Sequence, residues 1–68
     1  MAYIVEVPDR EGVLLVMAQS GRQMGVINGS ADEWYWQIFG QDVVFERDLE
    51  SAKENALIEA GRNEWGML

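Results

Sequence analysis

Carboxylates are the residue type through which this sequence could do chemistry. The 68-residue chain has 12 Asp and Glu residues, but no histidine and no cysteine. The commonest general base is therefore missing, as are thiol nucleophiles and disulfides. A structural zinc site would also lack its usual ligands. What remains is acid–base chemistry by paired carboxylates, oxygen ligation of a hard metal ion, or recognition through negative charge.

Three carboxylate pairs are close in sequence. They are Asp32 with Glu33, Asp42 with Glu46, and Asp48 with Glu50. General acid–base catalysis needs two carboxyl groups across a cleft, and a chain of this size has little material from which to build one. Asp48 and Glu50 suit the start of a helix, and the sequence has no Asp-x-Asp-x-Asp-Gly calcium loop. We therefore expect no enzymatic activity, no metal site and no cofactor.

The net charge of −7 indicates which partners suit the chain. Twelve acids stand against five bases, and between residues 28 and 60 eight acids stand against two bases, a balance of −6. Direct binding to DNA, RNA or an anionic membrane needs a basic surface, so we expect neither a nucleic-acid nor a membrane partner. Negative charge favours solubility and attraction to a basic protein surface.

The segment Trp34–Phe39 is the centre of the predicted fold. Five of its six residues are aromatic or β-branched, the types that fit a pleated and half-buried surface. On a strand, Trp34, Trp36 and Ile38 point to one face. Tyr35, Gln37 and Phe39 then point to the other face. Both faces are largely apolar, which predicts a central strand with material packed on each side.

Four further strands are predicted around this segment. Their ranges are Ala2–Val7, Val13–Ala18, Gln23–Ile27 and Val43–Glu46. Short connections join only antiparallel neighbours, so the pattern predicts a meander. Asn28-Gly29 is a strong hairpin signal, and Gly25 inside a strand indicates a bulge or the close approach of another backbone.

A change of period predicts one C-terminal helix. Asp48 is a good N-cap, and Leu49, Ala52, Ala56 and Ala60 recur at helical spacing. Gly61 is predicted to end the helix, with Arg62 just beyond it. The fold class is therefore α+β: residues 1–68 form one domain, an antiparallel sheet of four to five strands with the helix packed on one face.

One helix can cover only one face of this sheet. The other face would expose rows containing Tyr35 and Phe39, or Val13, Leu15 and Met17, a patch too large for a comfortable monomer. A short chain without disulfides favours a homodimer as the cover. The alternatives are the tail Trp65–Leu68 folding across the face, or a foreign protein. The candidate self-association residues are Tyr35, Phe39 and Trp65.

The acids offer a second candidate surface. Glu50 and Glu54 are four residues apart, and Ile58 continues the same helical stripe. With the nearby acids, this stripe is a candidate partner-binding surface in which Ile58 is an apolar anchor among charges. An ordinary solvated helix face is the alternative. The candidate partner-binding residues are Asp32, Glu33, Asp42, Glu46, Glu50, Glu54 and Ile58.

The layout resembles a group of known proteins. A short meander containing Trp34-Tyr35-Trp36 is followed by a helix that opens with Asp48-Leu49-Glu50-Ser51-Ala52-Lys53. In size, acidity and layout the chain is similar to small phage-encoded accessory proteins, among them acidic inhibitors of the anti-CRISPR kind. The resemblance implies a non-enzymatic inhibitor that binds the basic surface of a nucleic-acid-handling complex of the host and blocks its nucleic-acid site.

Two functional hypotheses from different classes follow. The first is an acidic protein-binding inhibitor that acts as a nucleic-acid mimic, and the alternative is a small assembly subunit that homo-oligomerises through the apolar sheet face. The N-terminus has no signal-peptide pattern, and no apolar stretch approaches the length of a membrane span. We expect a cytoplasmic protein, located in the host cytoplasm if it is phage-encoded.

Overall fold

The computed structural model describes residues 1–66, and their side chains through residue 64. Within that range the chain forms a five-stranded antiparallel sheet in the order β1-β2-β3-β4-β5, followed by a helix. The elements are β1 (Tyr3–Glu6), β2 (Val13–Met17), β3 (Gln23–Ser30), β4 (Glu33–Ile38), β5 (Val44–Glu46) and α1 (Leu49–Gly66). The predicted α+β fold is confirmed.

The core lies between α1 and one face of the sheet, which we call the covered face. Cross-strand register aligns Leu14 with Ile27, and Ile27 with Trp36, so these side chains share that face. The buried strand and strand-flanking residues are Leu14, Val16, Ala18, Met24, Ile27, Trp34, Trp36 and Ile38. On α1 the buried residues are Ala52, Ala56 and Ala60, each with no exposed surface. A stripe of alanine lets the helix backbone lie close to the tryptophans.

The helix begins as its sequence predicts. The Asp48 carboxylate accepts a hydrogen bond from the backbone N–H of Ser51 at 2.7 Å and another from the Ser51 hydroxyl at 3.3 Å. Asp48 therefore satisfies one of the first-turn N–H groups that have no partner inside the helix.

The helix does not end where the sequence predicts. α1 continues past Gly61 to Gly66, so Arg62 lies within the helix. Glycine inside a helix costs about 1 kcal/mol relative to alanine, and contacts of the next turn oppose this cost. The Asn63 amide donates to the carbonyl oxygen of Glu59 at 2.8 Å and accepts from Gln41 at 3.3 Å. The second bond ties this end of α1 to the β4–β5 connection.

The hairpin between β3 and β4 turns later than predicted. Asn28 and Gly29 lie within β3 opposite Tyr35 and Trp34, and the two-residue turn is formed by residues 31 and 32, where Ala31 has φ 52°. If the turn lay at residues 28 and 29, β3 would be too short to pair with β4 as far as Trp36. The observed register pairs all of β4 with β3, so the burial of the aromatic strand decides the turn.

Two glycines on β3 are explained by close backbone approach. A Cβ atom on Gly29 would collide with the carbonyl oxygen of Glu33, and one on Gly25 with that of Gln37. The β2–β3 register also shifts between Val16 and Met17, opposite the region of Gly25. The predicted irregularity at Gly25 is confirmed.

Candidate protein-interaction surface

The face of the sheet opposite α1, which we call the open face, is largely apolar, and its polar residues lie on β3 and β4. Alternation and register place on it the side chains that do not point toward α1. Its apolar residues are Tyr3, Val5, Val13, Leu15, Met17, Val26, Tyr35 and Phe45, and its polar residues are Gln23, Asn28, Ser30, Glu33 and Gln37. No element of residues 1–66 packs over them, because α1 lies on the other side.

Aromatic side chains are the most exposed apolar part of the open face. Tyr35 is 41% exposed and Phe45, directly opposite it on β5, is 48% exposed. Their ring centroids are 5.4 Å apart with planes tilted by 58°, a favourable arrangement for an aromatic pair. The pair is therefore held as one apolar surface toward solvent.

The open face carries almost no charge. Among the strand residues that the structure describes, Glu33 is the one charged residue that alternation places on this face, and it lies at the first position of β4. Glu6 and Glu46 occupy covered-face positions at the two edges of the sheet. The acids of this chain are concentrated in its turns and on α1 instead.

The predicted acidic residues do not form one patch. Asp32 and Glu33 lie at the start of β4, and Asp42 follows its end, so about 17 Å of strand separates the two groups. Glu50, in the first turn of α1, lies at the same end of the sheet as Asp32, because β5 runs back along β4 as far as Trp34. The structure thus brings Asp32, Glu33 and Glu50 to one end of the molecule and places Asp42 at the other.

Glu46 has a structural role. Its Oε2 atom accepts a hydrogen bond from the Trp36 indole N–H at 3.0 Å and another from the Asn55 amide at 2.7 Å. One half-buried carboxylate therefore connects β5, β4 and α1. An oxygen that accepts two internal bonds is poorly placed to receive a partner protein.

The outer face of α1 carries a base in addition to the predicted acids. Glu50, Glu54 and Ile58 form an exposed stripe, with Ile58 50% exposed. Because the helix continues, Arg62 extends this stripe, and its guanidinium is 3.7 Å from the Glu59 carboxylate. Over its whole length α1 has four acids and two bases.

The three predicted self-association residues are separated in space. Tyr35 lies within the open face, whereas Phe39 follows the end of β4, is 55% exposed, and lies beside Gln23, Ile38 and Asn63. Trp65 is in the last turn of α1, and its side chain lies outside the described residues, as does the predicted packing of the tail through Leu68.

Sequence reasoning missed Tyr3, Val26 and Phe45 as members of the candidate surface. Each lies on a strand that the sequence predicts, and alternation within each strand was readable. Which alternate residues share a face across five strands depends on register, and register became known only with the true turn at residues 31 and 32.

Within residues 1–66, no three acidic side chains come together in an arrangement that could hold a metal ion. The helix of that same range is not long and apolar enough to cross a membrane.

Comparisons with protein-family models, with curated proteins and with solved structures found no match to this chain.

Proposed function

We propose that this protein is a non-enzymatic protein-interaction module that assembles with another protein through the open face of its sheet. The observation that supports the proposal is the exposure of Tyr35 and Phe45 on a face with a single charged strand residue at its end among those described. It favours the assembly subunit over the acidic inhibitor as the first hypothesis.

The open face has the properties of a binding surface. Aromatic residues supply much of the binding energy at protein interfaces, because a large ring becomes desolvated at the cost of few rotatable bonds. Each Å² of apolar surface removed from water contributes about 25 cal/mol. On the open face, apolar residues of all five strands lie side by side, so a flat partner surface could cover them together.

A pair of matched variants tests this function. Tyr35→Lys places a charge in the open face, and Ile58→Lys places the same charge at an apolar residue of similar exposure, 50% against 41%, on α1. We expect Tyr35→Lys to abolish every protein association of the chain, whether with itself or with another protein, and Ile58→Lys to retain it. Circular dichroism establishes that both variants are folded. Undiminished association of folded Tyr35→Lys would refute the proposal.

The acidic stripe of α1 supports a second candidate function, that of an inhibitor which presents carboxylates to the basic groove of a nucleic-acid-handling protein. Glu50 and Glu54 are exposed, and within the described residues neither has an ion-pair or hydrogen-bond partner. Ile58 lies one turn further along the same stripe. Carboxylates that are free toward solvent next to an exposed apolar residue can steer and hold a basic partner.

Charge reversal tests the second candidate. Glu50→Lys combined with Glu54→Lys should abolish capture of a basic, nucleic-acid-binding protein while leaving the free energy of unfolding within about 0.5 kcal/mol. Capture by the unmodified protein should weaken as salt rises, because surface charges are screened. Capture that is indifferent to both the reversal and the salt concentration would exclude this function.

A further inference from the structure

β1 is a free edge of the sheet. It pairs with β2 on one side, and within residues 1–66 no other strand pairs with it on the other side. β5 is the opposite edge, but it has three residues, and its Glu46 side chain already accepts two internal hydrogen bonds. A row of unpaired backbone groups is recognised by another extended backbone, because a strand repeats N–H and C=O groups at the matching spacing.

Alternate residues of β1 present their backbone groups to this edge. The Val7 N–H donates to the carbonyl oxygen of Val13 at 3.4 Å, so these two residues are a hydrogen-bonded pair. Val5 lies two positions earlier on the same ladder, and bonded pairs alternate with non-bonded pairs between antiparallel strands. The N–H and C=O groups of Ile4 and Glu6 therefore point away from β2, toward the free edge.

A strand added at this edge would extend the open face. Tyr3 and Val5 are exposed side chains of β1 on that face, and every second side chain of an added strand would lie beside them. A protein that covers the open face therefore reaches the free edge of β1 without a gap. The remaining side chains of the added strand would lie on the covered-face side, beside Ile4.

A groove on the covered-face side has room for those remaining side chains. It lies between the start of β1 and the second half of α1, and its apolar lining includes Met1, Ala2 and Leu57. Gly61 also lines it, and a Cβ atom there would meet no atom within 4 Å. Apolar side chains opposite Ala2 and Ile4 would be removed from water in this groove, which favours binding.

Glu6 favours a basic residue in the added strand. Its exposed side chain lies on the covered-face side of β1, and it has no ion-pair partner among the described residues. Residues directly opposite each other on antiparallel strands have Cβ atoms about 4.5–5.5 Å apart, and opposite charges there attract. In an antiparallel strand, the residue opposite Glu6 precedes those opposite Ile4 and Ala2 by two and four positions.

We infer that the protein that covers the open face also contributes an extended segment, which pairs antiparallel with the free edge of β1. Its basic residue lies opposite Glu6, and apolar residues two and four positions later lie beside the groove. This inference rests on the proposed function, since it assigns the segment to the partner proposed there. So short a pairing is weak alone, with a Kd on the order of 100 µM to 1 mM, and its link to the open-face contact raises the total affinity.

Methylated peptides test the strand pairing without altering the protein. The probe is a peptide, capped at both ends, with the central sequence Lys-Thr-Ile-Thr-Val, and its binding is followed by the NMR shifts of the β1 amides. N-methylation of the isoleucine removes the N–H that would donate to Ile4, whereas the N–H of the first threonine would face away from β1. We expect the first change to weaken binding at least about 10-fold and the second less than about two-fold.

Two results of the peptide experiment would overturn the inference. One is that the unmethylated peptide does not bind at about 1 mM, and the other is that both methyl groups weaken binding equally. Sedimentation equilibrium of the chain alone adds a third. A doubling of the 7.7 kDa mass that the peptide reverses would make a second copy the occupant of the edge.

Charge exchange tests the register of the segment. Replacing the peptide's lysine by glutamate should weaken binding to the wild-type chain about three-fold, and Glu6→Lys should reverse this preference. Glu33→Lys changes the net charge by the same amount on β4 and should leave the preference as it is in the wild type. A preference that is the same in Glu6→Lys as in the wild type would overturn the inferred pattern of the segment.

The edge and the open face can fail separately. Tyr35 is three strand spacings from β1, about 14 Å, so Tyr35→Lys should leave peptide binding unchanged while it abolishes association with the whole partner. If that association is lost but the peptide does not bind the wild-type chain, the strand pairing fails and the open face stands. If the peptide binds as inferred but association with the whole partner is undiminished in Tyr35→Lys, the proposed function fails and the edge remains a site.

Discussion

The two faces of β4 are alike in residue type and opposite in environment. Trp36 on the covered face is 8% exposed, and its indole N–H is hydrogen-bonded to Glu46. Tyr35, the adjacent residue on the open face, is 41% exposed, and among the described rings it packs against Phe45. Aromatic character alone therefore does not separate a core residue from a surface residue. Trp36 is buried because α1 packs on its side of the sheet, and Tyr35 is exposed because it lies on the other side.

The same contrast separates the residues that stabilise the protomer from those available for a partner. Residues of the covered face contact the alanine stripe of α1, so changes there should alter the free energy of unfolding. Within residues 1–66 no element outside the sheet packs on the open face, so changes there should alter association. The free energy of unfolding is to be measured at low protein concentration, because any association of the folded chain would stabilise it by mass action.

Trp36→Ala should produce the largest loss of stability. Removing a buried aromatic side chain costs about 3–5 kcal/mol, and the hydrogen bond to Glu46 is lost as well. Tyr35→Ala, its neighbour on β4, should cost less than about 1.5 kcal/mol in the monomer, since much of its ring is already exposed. Urea denaturation measures both. Equal losses would mean that the two faces are equally packed, contrary to the structure.

Glu46→Ala should lower the free energy of unfolding by about 1–3 kcal/mol. The change leaves the Trp36 indole N–H and the Asn55 amide without their acceptor. Glu46→Gln keeps an acceptor oxygen and should lose less. Glu54→Ala is the matched control on exposed α1 and should stay within about 0.5 kcal/mol. If Glu46→Ala behaves like this control, the carboxylate does not connect the three elements.

Ala56→Leu should destabilise by about 1–3 kcal/mol through overpacking. Ala56 has no exposed surface, and its contact with the sheet has no room for a larger side chain. Glu54→Leu introduces the same side chain on the exposed side of α1 and serves as the control. Thermal unfolding monitored by circular dichroism compares them. A neutral Ala56→Leu would show that α1 is not held close to the covered face.

Gly61→Ala should stabilise the protein by about 0.5–1 kcal/mol, the smallest expected effect. Gly61 lies inside α1, is not among the glycines with positive φ, and a Cβ atom there would meet no other atom within 4 Å. Alanine therefore gains helix propensity without strain. Gly25→Ala is the opposite control, because its Cβ would collide with the Gln37 carbonyl. A destabilising Gly61→Ala would indicate that the helix is interrupted at this residue.

Much of the fold was predictable because local signals agreed with burial. The alternation in Trp34–Phe39 and the recurrence of Ala52, Ala56 and Ala60 identified the strand β4 and the buried helix face, although β3 and not β4 is the central strand and only one face of β4 is covered within residues 1–66. The two errors came from glycine. At residues 28 and 29, and again at residue 61, a local preference for a turn or a helix end was outweighed by the pairing of β4 and by the contacts of Asn63.

The candidate surfaces were harder to predict than the fold. An exposed apolar sheet face follows from one helix and a sheet with two apolar sides, and the sequence contains both. The grouping of acids was not predictable, because Asp42 and Glu33 are separated by the length of β4. The role of Glu46 depends on Trp36 and Asn55, which are ten and nine residues away from it in the chain.

By itself, the sequence determined the element types, the meander and the identity of the buried helical stripe, because each depends on residues within a few positions of one another. The tertiary structure decided the register of β4, the length of α1 and the partners of Glu46. These depend on contacts between distant segments, and such contacts outweigh local preferences of about 1 kcal/mol per residue. They also decided which aromatic residues are buried, because a single helix lies over Trp36 and leaves Tyr35 exposed.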